Sequence, residues 1–319
     1  AIDFGDLNQT TKANAGASSS TIAAFGGGQE PYDTVEKITI ASQGNAVDYA
    51  DMSVSRGYMA GLSNSVKGVF AGGATPSNSN VIDEFRIATG GTFTDFGDAQ
   101  AAKSGVMGNT SAHGGLNDGY QGTRIAPIPT GLGVGQRALA AGGFTGGQPT
   151  IEEFNMTTTG NASQFGSLAV GSYEVSAMSN TTRCLFAGGE NPSGDTDRIE
   201  YVEFASKGNG ADFGNLLEAK DGVTGGSNQT RGLTAGGTTP DATDRVEYVT
   251  LATLGNGTDF GNLSAARRHA ASVAGQTRFV VGGGDTVPSD VNIIEYFTIA
   301  STGNATDFGD LSAANNTAG

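Results

Sequence analysis

Two histidines, His113 and His269, a single cysteine, Cys184, and a recurring set of acids are the residues of this 319-residue chain that could do chemistry. A zinc centre needs three or four converging ligands. The histidines stand 156 residues apart, and Cys184 lies in an apolar Cys-Leu-Phe string that reads as core. Asp-x-x-Asp pairs occur at Asp3/Asp6, Asp48/Asp51, Asp95/Asp98 and Asp307/Asp310. Positions three apart on a strand point to opposite faces, and no run carries the alternating acids of a calcium loop. No Ser-His-Asp set or phosphate loop is present, because the glycine strings read as strand ends. The expectation is therefore no catalytic residue, no metal and no cofactor.

An acid recurs at Glu36, Asp83, Glu152, Glu200, Glu247 and Glu295. Repetition of this kind reads as scaffolding. A cation recurs upstream, at Lys67, Arg137, Arg183, Arg231 and Arg278. If the two sets sit on neighbouring antiparallel strands, they lie at opposite ends, some 13 Å apart at about 3.3 Å per residue. A second set of cations, Arg56, Lys103, Lys220 and Arg267, falls at corners on the same end as the acids. These are the predicted partners. As surface corner pairs they would contribute about 0–1 kcal/mol each.

The elements that hold these residues form a repeat. Asp-Phe-Gly-Asp-Leu stands at Asp3–Leu7 and again at Asp307–Leu311, with variants between. The aromatic members are Phe4, Tyr49, Phe96, Phe165, Phe213, Phe260 and Phe308, spaced by 45 to 48 residues and once by 69. Glycine doublets or triplets close a second landmark at Gly28, Gly73, Gly143, Gly189, Gly237 and Gly284. Each repeat reads as four short strands, a to d. In the last repeat these are 268–274, 278–281, 293–300 and 306–311. Strand c has β-branched and aromatic content, and a Gly-Asn pair turns it into strand d. Four antiparallel strands repeating at this period make one blade of a β-propeller. Six a-b-c sets with seven d strands leave open which d strand closes a ring.

An insertion of 23 residues, near 109–133, enters between strands a and b of the third repeat. It carries His113, Asn117, Asp118, Tyr120 and Arg124. It should project from the face of the Gly-Asn turns, and a long loop on a rigid scaffold is a natural contact element.

The composition excludes other classes. There are 52 glycines but no collagen period. A lone cysteine forms no intramolecular disulfide. No apolar run reaches the length of a membrane span. A net charge of −15 opposes nucleic-acid binding. The missing initial Met points to processing or to a piece of a longer chain. The expectation is an all-β chain, 1–319, forming one six-bladed propeller of four-stranded antiparallel blades.

The glycine pair Gly188-Gly189, the strand Ile199-Glu200-Tyr201-Val202 and Phe213, standing where tryptophan is usual, resemble kelch repeats. The string Ile299-Ala300-Ser301-Thr302-Gly303-Asn304-Ala305-Thr306-Asp307-Phe308-Gly309-Asp310-Leu311 resembles propeller repeats of virion proteins in tailed phages, especially those of marine cyanobacteria. That resemblance implies a non-enzymatic structural or adhesion component of a phage particle: tail, fibre or capsid-attached. It implies other virion proteins as partners, in several copies, a host surface glycan or receptor as a further one, and localisation to the virion. Two other readings stand beside it. One is a carbohydrate- or receptor-binding head using the insertion. The other is a hydrolase or lyase with a site on the propeller axis, which a convergence of His, Asp and Arg would favour.

Overall fold

The structure is a computed structural model describing residues 6–8, 13–19, 21–28, 32–64, 66–110, 137–143, 147–156, 158–286, 289–311 and 314. Among them there is no helix. The strands form six four-stranded antiparallel sheets over 15–51, 60–98, 107–167, 176–215, 224–262 and 271–310, here blades 1 to 6. Each runs a-b-c-d in sequence order. In blade 5 these are Thr224–Ser227, Arg231–Ala235, Arg245–Thr250 and Thr258–Asn262. The first blades pack as one compact unit (Phe4–Ala141 with Ile151–Phe165) and the later ones as another, chiefly Gly166–Gly319.

The sheets differ from the sequence reading in detail. Strand a of blade 6 is Ala271–Ala274, shorter than expected. Arg268 bridges to Asp285 instead of extending the strand, and His269 has φ 50°. Strand c of blade 6 is Ile293–Thr298, also shorter than expected. The b–c loops of blades 2, 4 and 5 carry small two-stranded ribbons, such as Glu190–Asn191 with Gly194–Asp195.

The d-strand aromatic occupies a bulge. In blade 5 Glu247 pairs with Asp259 and Val246 with Gly261, so Phe260 is the extra residue. The same shift occurs at Tyr49, Phe96, Phe213 and Phe308. A bulge re-aims a side chain, and here it sends the ring toward the next blade. Phe213 packs with Val249 and Leu251 of blade 5. Phe260 packs with Phe279 and Phe297 of blade 6, its ring 5.8 Å from Phe297 and edge-on. Phe96 packs with Phe154 and Met156 of blade 3. Phe96, Phe165, Phe213 and Phe260 are buried and Tyr49 is half-buried. Phe4 lies outside the described residues. Phe308 departs from the expectation: it is 49% exposed.

The d strands of blades 1 to 5 also receive the c–d turn of the following blade. In blade 4, Asn215 N donates to Asn256 Oδ1 at 3.1 Å, and Gly257 N donates back to the Asn215 carbonyl at 2.7 Å. A Cβ on Gly214 would run into the Gly255 carbonyl, which explains the glycine beside the ring. Ser227 Oγ of blade 5 donates to the Ser179 carbonyl of blade 4, and Thr224 Oγ1 meets Ser272 Oγ of blade 6 at 2.6 Å. Such short side chains stitch neighbouring strands a together.

Candidate functional site

The recurring acids sit on strand c, and the structure buries all six at 0–6% exposure. Each accepts the backbone N–H four residues past the preceding d-strand aromatic. The pairs are Asn8 with Glu36, Ser53 with Asp83, Gln100 with Glu152, Ala169 with Glu200, Leu217 with Glu247 and Ser264 with Glu295, at 2.7–3.4 Å. Five of these carboxylates thus tie the exit of one blade to strand c of the next, and Glu36 ties the segment that precedes blade 1.

Four of them also meet a corner cation. Arg56 lies 3.0 Å from Asp83, Lys103 2.7 Å from Glu152, Lys220 2.8 Å from Glu247 and Arg267 2.6 Å from Glu295. These pairs are not the surface decoration that the sequence suggested: every partner is at most 3% exposed. Burial pulls the Arg56 and Arg267 guanidinium groups below their ordinary range, and Asp83 and Glu295 oppose that shift. In blade 4 the corner position is Ser172, and Glu200 takes Arg198 from its own strand at 2.6 Å.

The cations heading strand b do lie away from these acids. Lys67 and Arg137 pair with Glu84 and Glu153, further along strand c. Arg183, Arg231 and Arg278 cover Tyr201, Tyr248 and Tyr296 at 4.3–4.9 Å from the ring centres. Cation–π contacts of this kind hold both groups in place. Sequence reasoning missed these partners, although the acids one position beyond the recurring ones signal the first two.

The insertion residues His113, Asn117, Asp118, Tyr120 and Arg124 lie outside the described residues. Its base is described: Met107–Thr110 and Arg137–Ala141 are neighbouring antiparallel strands. Arg137 pairs opposite Asn155, beside the c–d turn of blade 3. A shallow groove of about 290 Å³ lies there, lined by Arg137, Glu153, Thr158 and Asn161.

The chemically richest cluster lies elsewhere, at the corners entering blades 4 to 6. His269 Nε2 is 3.1 Å from Glu174 Oε2, though the two are 95 residues apart. Gly222, between them in sequence, leaves the room: a Cβ there would come within 2.9 Å of His269 Nε2. Glu174 and His269 both adopt positive φ, 54° and 50°. The corresponding corners hold Ala13, Tyr58, Gly105 and Gly222, also at positive φ. A non-glycine residue in that region is strained and held by its surroundings. Beside this pair, carboxylate oxygens of Glu190, Asp195 and Asp221 lie within 4.8 Å of one another. Arg268 and Asp285 pair at 3.3 Å. The sequence discounted His269 as isolated. The repeat position it shares with Glu174 was the signal that would have joined them.

An all-oxygen set of this kind is the donor type that hard cations accept. Its electrostatics are those of crowded acids. Burial pushes Asp195 upward, and Asp221, Glu190 and Glu174 push it further. Burial likewise raises Asp221, against Thr238 and His269. Tyr173, hydrogen-bonded to Glu190, is pushed up to about 12. A carboxyl raised on folding stabilises the fold below its ordinary value of 3.8, and that contribution is lost as pH rises through the folded value. Asp221→Asn should therefore stabilise the protein at pH 7, by at most about 1 kcal/mol given its partial exposure. Urea midpoints at pH 7 and pH 4 check this: the gain should shrink at pH 4, and an equal gain at both would refute it.

No protein-family model matches the sequence, and no curated protein does. Among solved structures the chain is similar to that of YjhT, with TM-score 0.70 over 95% of this chain and 99% of that one, at 12% identity. At that identity the likeness concerns the fold alone: six four-stranded antiparallel blades of a β-propeller.

Proposed function

We propose that this chain is a non-enzymatic structural component of a phage virion, a rigid propeller that serves as a protein-interaction scaffold. The observation that carries the scaffold reading is the use of the recurring charges. All six recurring acids are buried and hydrogen-bonded to backbone, five of them join consecutive blades, and four have buried cations beside them. Groups so enclosed hold geometry and touch no substrate. The virion setting rests on the Gly-Asn-Ala-Thr-Asp-Phe-Gly repeat string and its likeness to phage propellers. Its partners are other virion proteins, in several copies, with the insertion as a further contact to a host glycan.

A second reading, a hydrolytic or binding site at the corner face, is favoured by one observation. Glu174, His269, Asp221 and Arg268 converge from three blades. Two experiments separate the readings. Antibodies to this chain should label purified phage particles at repeated positions. Particles without the chain would overturn the virion setting. Glycoside turnover by the purified protein that His269→Ala abolishes would overturn the non-enzymatic reading.

A further inference from the structure

Two asparagines in the sequence are followed by glycine, in Asn209-Gly210 and Asn256-Gly257. Both pairs occupy the same place, the c–d turn, in blades 4 and 5. In the other Gly-Asn turns the next residue is alanine: Ala46, Ala162 and Ala305. An Asn-Gly pair carries its own chemistry. The glycine nitrogen attacks the asparagine side-chain carbon, a carbon–nitrogen bond closes a cyclic imide, and ammonia leaves. Water then opens the imide to aspartate or, at its other carbonyl, to isoaspartate, whose backbone is longer by a methylene. Glycine, without a Cβ, leaves the attacking nitrogen unshielded. Alanine shields it.

The structure engages both reacting groups with the preceding blade. Asn256 Oδ1 accepts from Asn215 N at 3.1 Å, and Gly257 N donates to the Asn215 carbonyl at 2.7 Å. The nitrogen that must attack is therefore occupied, and so is the side chain that it must reach. Asn209 and Gly210 are tied in the same way to Ser167, at 3.1 and 2.9 Å. All of these residues lie within the compact unit over Gly166–Gly319. Both asparagines are exposed, so water meets them once the turn lifts. Gly255 N also donates to the Phe213 carbonyl at 2.9 Å. The Asn256 turn is thus fastened to the strand whose ring packs on Val249 and Leu251 of blade 5.

We propose that Asn209 and Asn256 are deamidation sites gated by the seating of their turns, so that each records the opening of its blade junction. A seated turn is inert. A released turn loses ammonia and takes up water. The isoaspartate product cannot reseat, because its longer backbone moves the glycine nitrogen off the carbonyl of the preceding blade. A reversible opening is thereby made permanent. The inference rests on neither the virion setting nor the non-enzymatic reading.

The full chain is incubated at mildly alkaline pH, folded and in urea, and loss of each side-chain amide is followed by peptide mass mapping. In urea Asn209 and Asn256 should convert well before Asn45, Asn161 and Asn304. In the folded chain their conversion should slow by at least about tenfold, because the rate follows the population of the open form. Ala305→Gly should bring Asn304 into the fast group in urea and leave it protected when folded, since that turn is seated on Asn262 by the same two bonds. Phe213→Ala should speed Asn256 conversion in the folded protein by at least about tenfold. Phe213→Leu serves if that variant does not fold. Phe154→Ala, which empties a buried ring site in blade 3, should leave Asn256 unchanged. Chains converted in urea and refolded should melt below unconverted ones. Equal rates in folded and unfolded chains overturn the gating, and so does an equal effect of Phe154→Ala and Phe213→Ala on Asn256. An unchanged melting midpoint after conversion overturns the permanence.

Discussion

Lys220→Met is expected to destabilise the protein by about 3–5 kcal/mol, the cost of leaving a buried carboxylate without its counter-ion. Lys220 and Glu247 are at most 1% exposed and 2.8 Å apart, so water cannot replace the lost ammonium. The Leu217 N–H still binds Glu247 at 2.7 Å and recovers only part of the loss. Arg198→Met, at the corresponding acid of blade 4, should cost about 1 kcal/mol. Arg198 is 43% exposed, and Glu200 keeps two contacts from the Ala169 N–H. Adding Glu247→Leu to Lys220→Met should restore much of the stability, because a pair replaced by apolar groups strands no charge. The Leu217 N–H then loses its acceptor, at about 1–3 kcal/mol, so recovery is incomplete. Urea unfolding of the three variants decides the matter. A loss under 1 kcal/mol for Lys220→Met would show that the buried pair carries little of the junction.

Phe213→Ala and Phe260→Ala should each cost about 3–5 kcal/mol, the range for emptying a buried aromatic site. Phe308→Ala, with the same sequence neighbours, should cost less than about 1 kcal/mol. Phe213 and Phe260 are 2–3% exposed and fill the contact with the following blade, whereas half of Phe308 faces water. Thermal melts of the three variants compare like with like, since each ring sits on an equivalent bulge. Equal losses would mean that the ring acts within its own sheet and not between blades.

The contrast between these rings marks how far the sequence was legible. Period and strand content revealed the blades, because a sheet's hydrophobic pattern and turn residues are local properties. The corner partners of Asp83, Glu152, Glu247 and Glu295 followed from strand direction alone. Their burial did not, since a charged residue in the text carries no sign of what closes over it. Phe308 looked like every other ring because its exposure is set by the folded surroundings and not by the string around it. The Glu174–His269 contact joins two corners 95 residues apart through the space above Gly222, and no local window contains both. The insertion residues were legible as an interruption, but nothing in their own sequence gives them a geometry.

In the repeats that carry Asp83, Glu152, Glu247 and Glu295, the corner cation precedes strand a of the very blade whose strand c bears the acid. Anion and cation are therefore encoded within a single period of the sequence, and Arg198 keeps that true for Glu200. Copying or losing a whole period leaves no enclosed ion without its mate. What these acids receive from the preceding period is neutral, a backbone amide. Copy number can drift in such a gene without separating these four buried pairs.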